Sequence, residues 1–167
     1  MNVAIAFHSR TGTTKKVAEI IEKELKKRGH KVTLITLIAQ HEKGFLGSGY
    51  SAFREKEPEL VSCDLSAKGK SLLILGTPIW AGRSAPHLLR FLNQAEGLEG
   101  KNIALFYTSG GGPNLQGSKK IAEQIQNRLT PRKAKLIGAP LGIRQKELED
   151  PATIQKIKDF VDMILKE

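Results

Sequence analysis

Four hydroxyl side chains are crowded into six positions near the amino terminus, between an apolar run and a helical pattern. They belong to the segment Ser9-Arg10-Thr11-Gly12-Thr13-Thr14. Hydroxyl groups and a glycine at the start of a helix can surround a phosphate with O–H and backbone N–H donors, and the helix dipole adds roughly 0.3–1 kcal/mol in favour of an anion. One Ser or Thr would be enough to cap the helix. The segment therefore predicts a phosphate-binding loop.

Two further segments have features of a ligand site. Trp80 is the only tryptophan of the chain and lies in Gly76-Thr77-Pro78-Ile79-Trp80-Ala81-Gly82-Arg83, where a planar ring could stack on it. The segment Thr108-Ser109-Gly110-Gly111-Gly112-Pro113-Asn114 exposes backbone with almost no side chain, so its N–H groups can approach a flat heterocycle. A phosphate cradle, a stacking aromatic and a backbone rim together match the three parts of FMN.

Other phosphate-binding motifs do not fit the spacing. The order Gly12-Thr13-Thr14-Lys15 differs from that of a Walker A loop, and Gly110-Gly111-Gly112 is followed by Pro113 rather than by the rest of a GxGxxG pattern. A phosphatase loop that began at Cys63 would need an arginine where Gly69 stands. These classes of nucleotide and phosphate enzyme are disfavoured.

Apolar runs alternate with helical patterns along the chain. The predicted strands are residues 3–7, 31–37, 71–75, 102–107 and 134–143. The predicted helices cover residues 17–25, 85–94 and 121–129, and a last one begins at Asp150 and Pro151. Continuous apolar runs are typical of strands that are buried on both faces of a parallel sheet.

This alternation predicts an α/β fold in which residues 1–167 form a single three-layer, doubly wound domain. Its five-stranded parallel sheet is expected to have the flavodoxin-like order 2-1-3-4-5. In such a sheet, ligands bind at the carboxyl ends of the strands, where the strand order reverses. The three polar segments follow the first, third and fourth strands, so we expect them to converge there.

Residues 39–70 form a long excursion without a clear buried strand. It is longer than a usual connection between a strand and a helix, which indicates either a functional excursion or a helix that the pattern does not reveal. Its aromatic residues Phe45, Tyr50 and Phe53 could cover a ligand. The same aromatic residues are a candidate homodimer contact.

The composition of the chain indicates which class of protein to expect. The 167 residues include 27 Lys+Arg and 17 Asp+Glu, a net charge of +10, and the hydrophobic fraction of 40% argues against disorder. No apolar run reaches the roughly 20 residues of a membrane helix, and no signal peptide is evident. The single cysteine, Cys63, favours a cytoplasmic protein without disulfides.

A basic composition is also typical of nucleic-acid-binding proteins, so nucleic-acid binding is the third alternative for function. Helix lysines are accompanied by glutamates, as in Glu19–Lys23 and Glu22–Lys26, and no basic-aromatic platform is present, so nucleic acid is disfavoured as a partner. The four histidines show no metal-binding spacing, and we expect no metal. We expect each of them at the surface or in a loop: His8, His30, His41 and His87.

The segment from Phe7 to Thr14, continuing to Ala18 and Ile21, resembles the phosphate-loop signature of the flavodoxin-like FMN-binding proteins, with Ala6 smaller than is usual. The second and third segments resemble the two flavin loops of that family. The resemblance implies non-covalent FMN. The candidate cofactor-binding residues are Ser9, Arg10, Thr11, Gly12, Thr13, Thr14, Thr77, Pro78, Ile79, Trp80, Ala81, Gly82, Thr108, Ser109, Gly110, Gly111 and Gly112.

Electron-carrying flavodoxins are usually acidic, whereas this chain is basic and its third loop has neither the acids nor the covering tyrosine of those proteins. We expect electron transfer through FMN to or from an acidic redox protein. The alternative is an NAD(P)H- or quinone-dependent FMN oxidoreductase, in which Arg10, Arg83 or Lys119 would attract an anionic substrate. The sequence contains no recognisable nicotinamide-binding fingerprint. It does not identify a catalytic residue either.

Overall fold

The protein is a three-layer α/β structure, described from a computed structural model over residues 1–40, 57–61, 65–111 and 115–167, with the side chains of 115–117 left aside. The elements in chain order are β1 (Asn2–Phe7), α1 (Thr13–Lys27), β2 (Lys31–Thr36), β3 (Leu72–Trp80), β4 (Arg83–Ser84), α2 (Pro86–Gln94), β5 (Asn102–Ser109), α3 (Leu115–Leu129), β6 (Lys135–Leu136), β7 (Leu141–Arg144) and α4 (Pro151–Lys166).

The sheet has the order β2-β1-β3-β5-β6, and its main strands are parallel. Strand β7 continues beside β5, and β4 pairs antiparallel with β3 as the arm of a hairpin. Strand β5 corresponds to the predicted fourth strand, and β6 with β7 to the predicted fifth. The expected doubly wound α/β class is confirmed.

Each face of the sheet is covered by two helices. Ala4 and Ala6 of β1 face a core shared with α2 and α3, whereas Val3 and Ile5 face a core shared with α1 and α4. This alternation follows from the period of two in a strand. Strand β1 is buried on both sides, so polar chemistry is confined to its ends.

The third strand is longer than the sequence predicts. It continues past residue 75 to Trp80 and remains paired with β5 through Gly76, Thr77 and Pro78. A side chain at Gly76 would stand 2.2 Å from the Phe106 ring and 2.8 Å from Cβ of Phe7. The glycine is therefore needed for close packing between strands and is not part of a loop.

The fifth strand is not continuous over residues 134–143, which corrects the prediction. It is divided into β6 and β7. Gly138 has a φ of 62°, and Pro140 has no N–H to donate to a ladder. The apolar residues on either side still face the core, which is why the run looks uniform in the sequence.

The two ends of the excursion are attached to the rest of the domain. An antiparallel bridge joins Ala39 to Leu60, and a parallel bridge joins Ser66 to Glu96. The residues that we expected to cover a ligand, Phe45, Tyr50 and Phe53, lie outside the described residues, as do Cys63 and His41. No helix in the described ranges is both long and apolar enough to cross a bilayer.

A two-residue turn joins β3 to β4. Trp80 pairs with Arg83, and the intervening Ala81 and Gly82 have φ values of 48° and 77°. Two positive φ angles between paired strands are typical of a type I′ turn. Glycine adopts this conformation freely, but alanine is strained in it.

We predict that Ala81→Asn stabilises the FMN-free protein by about 1 kcal/mol, because asparagine tolerates the left-handed conformation better than alanine does. The free energy of unfolding in urea measures the effect. Ala81→Val should have the opposite sign, since a β-branched side chain increases the strain. Equal stability of the three proteins would contradict a type I′ turn at this position.

Candidate functional site

Helix α1 begins at the carboxyl end of β1 with an open amino terminus. Gly12 lies at the helix cap with a φ of 89°, and no side chain accepts a hydrogen bond there. The first turn of α1 contains no acidic residue, and a Cβ at Gly12 would meet no atom within 4 Å. The N–H groups of the first turn are thus available to an anion.

The four hydroxyl groups of the predicted phosphate loop have different surroundings. The Thr14 hydroxyl is buried and bonded to the Thr108 hydroxyl at 2.8 Å, so it supports the loop. Thr11 and Thr13 place their hydroxyl oxygens 3.4 Å apart. The Ser9 hydroxyl oxygen is buried and has no hydrogen-bond partner among the described residues. An orphaned hydroxyl beside an open helix terminus fits a phosphate oxygen.

A cleft of about 500 Å³ opens beside this loop. Gly110 of the third loop lies on its wall, as do Lys16 of α1 and Lys146 from the turn after β7, together with Glu149. The volume is in the usual range for sites that bind small molecules. The structure thus brings the first and third predicted loops together, and two ammonium groups make the cleft suitable for an anionic ligand.

Thr77 of the second loop has a structural role. Its side chain is fully buried, and its oxygen accepts a hydrogen bond from the N–H of Ala85 at 2.9 Å and lies 3.2 Å from the Ser84 hydroxyl. These bonds attach the hairpin to the start of α2. Pro78 and Ile79 are half-buried, whereas Ala81 is exposed.

The remaining predicted residues lie at the surface of the same sheet edge. Ser109 is half-buried, and Gly110 and Gly111 are exposed, which agrees with a backbone rim. Gly112 is outside the described residues. The Arg10 guanidinium lies 5.4 Å from the centre of the Trp80 ring, so a cation from the first loop contacts the aromatic of the second.

Two histidines form a buried stack that the sequence did not reveal. The rings of His8 and His87 are 3.6 Å apart and within 11° of parallel, and Trp80 stands nearly perpendicular to both at 5.3 and 5.9 Å. Because the two distances are similar, Trp80 lies beside the stack rather than on top of it. The expectation of a surface or loop position is wrong for His87, which is buried within α2, whereas His8 lies in the loop after β1 but is buried there.

The spacing of both histidines from buried residues in the sequence indicates that they are buried. His8 continues the period of two set by Ala4 and Ala6, and His87 stands four residues before the buried Phe91. The Nδ1–H of His8 donates to the carbonyl of Leu37 at 2.8 Å. In the described part of the chain, no group of three or more potential metal ligands includes the pair.

His87 is 7% exposed, and neither ring nitrogen has a hydrogen-bond partner among the described residues. Burial, and to a lesser extent the neighbouring His8, lowers the pKa of His87 from 6.5 to about 3. The imidazole is therefore neutral at physiological pH. Trp80 and the neutral His87 lie beside the first and second loops.

We predict that His87 makes the protein less stable as the pH falls from 6.5 towards 3. The unfolded chain binds a proton in this range and the folded chain does not, so the free energy of unfolding should fall by up to about 1.4 kcal/mol per pH unit on this account. Urea unfolding at a series of pH values measures the slope. His87→Phe should have a shallower slope, and identical slopes for the two proteins would contradict a neutral buried His87.

Comparison with known proteins gives the family. The family model for NADPH-dependent FMN reductase matches residues 3–142. Among solved structures, oxidised flavodoxin 2 from Bacillus cereus has a TM-score of 0.68 and 21% identity, with 99% of each chain covered. A flavoprotein in complex with FMN from Lactobacillus acidophilus has a TM-score of 0.66 and 21% identity, over 90% of this chain and 98% of that one.

A third structure is the rubredoxin oxygen:oxidoreductase of Desulfovibrio gigas, with a TM-score of 0.64 and 16% identity over 99% of this chain and 35% of that one. No curated protein matches the sequence. The expected flavodoxin-like fold and FMN as the cofactor are supported together by the family match and by a loop that fits a phosphate. The chain belongs to the NADPH-dependent FMN reductase family.

Proposed function

We propose that the protein is an FMN-dependent oxidoreductase that oxidises NADPH. The observation that carries this proposal is the family match over residues 3–142. The exposed glycines of the third loop support it, because they leave space for a second ligand near the cofactor site. When bound, FMN supplies the hydride and electron chemistry, which is a property of the cofactor.

The residues of the chain bind and orient the FMN. We assign the phosphate of FMN to Ser9, Thr11, Thr13 and the N–H groups at the start of α1, because an uncapped helix terminus and an orphaned hydroxyl lie side by side there. Trp80 and the neutral His87 border the position of the flavin ring. The Arg10 guanidinium, which lies 5.4 Å from the centre of the Trp80 ring, provides a positive charge on that side of the site.

The basic surroundings suit an anionic substrate such as NADPH. Lys16 and Lys146 line the cleft, and Lys119 is exposed near the start of α3. Ammonium groups beside a cleft raise the local concentration of an anion and its rate of association. We also place the protein in the cytoplasm, where a lone cysteine remains reduced.

Anaerobic stopped-flow measurements on the FMN-loaded protein test this function. We predict rapid loss of the oxidised-flavin absorbance with NADPH, and a slower loss with NADH. The rate with NADPH should fall as salt is added, because screening weakens the attraction to the lysines. If neither nucleotide bleaches the flavin, the proposed reductase activity is wrong.

The second candidate function is that of an electron carrier for an acidic redox protein. The net charge of +10 favours it, since complementary charges speed the encounter of redox partners. A carrier would not react with NADPH but would exchange electrons rapidly with an acidic ferredoxin-type protein. The same stopped-flow instrument distinguishes the two functions.

The phosphate loop makes a separate prediction. Ser9→Ala should weaken FMN binding by about 10-fold or more, because a hydrogen bond to a charged group contributes about 1.5–3 kcal/mol. Quenching of flavin fluorescence measures the affinity. Riboflavin, which has no phosphate, should bind both proteins equally, and Thr130→Ala, remote from the site, serves as the control. An equal loss for FMN and riboflavin would contradict a phosphate contact at Ser9.

A further inference from the structure

The amino edge of the sheet, opposite the candidate site, has a row of lysines. The five main parallel strands begin at this edge, and four of them begin with a lysine or within two residues of one. We call these residues the amino-edge lysines: Lys31, Lys70, Lys101, Lys133 and Lys135.

The row follows the order of the strands. Lys31 begins β2 at one side of the sheet. Lys70 lies two residues before β3, and Lys101 lies directly before β5. Lys133 and Lys135 lie at β6 on the other side. Neighbouring strands are about 4.8 Å apart, so five strands extend the row over roughly 19 Å. The result is a narrow line of cations rather than a broad patch.

Neutral groups hold the two inner lysines in place. The Lys101 ammonium donates to the carbonyl of Lys70, and the Lys70 ammonium donates to the Thr33 hydroxyl at 3.0 Å. A carbonyl or a hydroxyl fixes an ammonium group without cancelling its charge. Lys31, Lys133 and Lys135 are exposed.

Three acids near this edge are paired with cations outside the row, whereas Glu99, two residues before Lys101, has no ion pair in the part of the chain that the structure describes. Arg28 pairs with Glu24 and Asp162, and Lys68 pairs with Glu96 at 2.6 Å. None of the amino-edge lysines forms an ion pair within the described ranges. The sequence-based view of lysines matched by glutamates holds for helix α1, where Lys26 lies 2.7 Å from Glu22, but not for this edge.

We propose that the amino-edge lysines bind the phosphodiester backbone of a single-stranded nucleic acid, without preference for base sequence. A polymer with one charge per nucleotide gains affinity by releasing condensed counterions, and this requires only point charges in a line. A flexible single strand can follow the row, whereas the phosphates of a duplex wind around the helix axis and leave the row. None of the described aromatic side chains is exposed, so base stacking would contribute nothing.

Two other polyanions fit the edge less well. An acidic peptide has few condensed counterions and would need apolar or backbone contacts, but the ends of strands offer no free ladder to pair with. An anionic bilayer is a plane, which a single row of charges would meet along one line. Met1 is the only exposed large apolar side chain described at this edge, too little for insertion.

Fluorescence anisotropy of a labelled oligothymidylate with the FMN-loaded protein tests the proposal. Binding should be measurable at low salt, and the logarithm of the association constant should fall with the logarithm of salt concentration with a slope of about −3.5, from five contacts at about −0.7 each. Absence of binding at low salt would overturn the proposal. So would a slope near zero.

A matched pair of triple variants separates the row from the overall charge. Lys31→Gln, Lys133→Gln and Lys135→Gln remove three amino-edge lysines, whereas Lys23→Gln, Lys120→Gln and Lys156→Gln remove three exposed helix lysines and leave the same net charge. We expect a slope of about −1.4 for the row variant and an unchanged slope for the helix variant. An equal change of slope in the two triple variants would overturn the proposal.

Circular dichroism and the melting temperature of each variant establish that it folds. Vesicles containing phosphatidylserine and a polyglutamate peptide are the competing ligands, and tighter binding of either than of the oligonucleotide at the same salt concentration would overturn the choice of partner. The readout does not involve the flavin. Failure of the reductase activity and failure of nucleic-acid binding are therefore distinguishable.

Discussion

A hydrogen bond between the buried hydroxyls of Thr14 and Thr108 couples the two sides of the candidate site. The residues are 94 positions apart, and their oxygens are 2.8 Å apart. Neither hydroxyl is exposed, so breaking the bond would leave a buried polar group unsatisfied at a cost of about 1–3 kcal/mol. The bond fixes the start of α1 relative to the end of β5. The position of the phosphate loop against the third loop is thus set by the interior of the protein.

Much of the fold follows from local sequence patterns. The apolar run at residues 3–7 predicts a strand buried on both faces, and β1 is such a strand. The hydroxyl-rich segment predicts an anion site at a helix terminus, and α1 begins there with Gly12 at its cap. The strand and the helix start are confirmed because one short segment contains the pattern for each, and the anion site stays a prediction. The expected strand order is the common one for a five-stranded doubly wound sheet, and the observed order agrees with it.

The features that the sequence did not reveal depend on contacts between distant segments. Gly76 looks like a loop residue, and only its proximity to Phe106 explains a glycine within a strand. The His8–His87 stack joins the end of β1 to the start of α2, and the spacing of each histidine indicates burial but not that the two rings meet. The break at Pro140 is hidden because the apolar pattern continues across it. In each case a neighbour in space decides what the residue does.

The division of the last strand has a consequence for association between molecules. A sheet can grow by adding a strand from another chain along an exposed edge, and long, regular edges promote this. Here the outer strand consists of two residues in β6 and four in β7, with Pro140 between them. An incoming strand would find no continuous ladder of N–H and C=O groups. The interruption thereby protects a highly parallel, apolar sheet from edge-to-edge aggregation at this side.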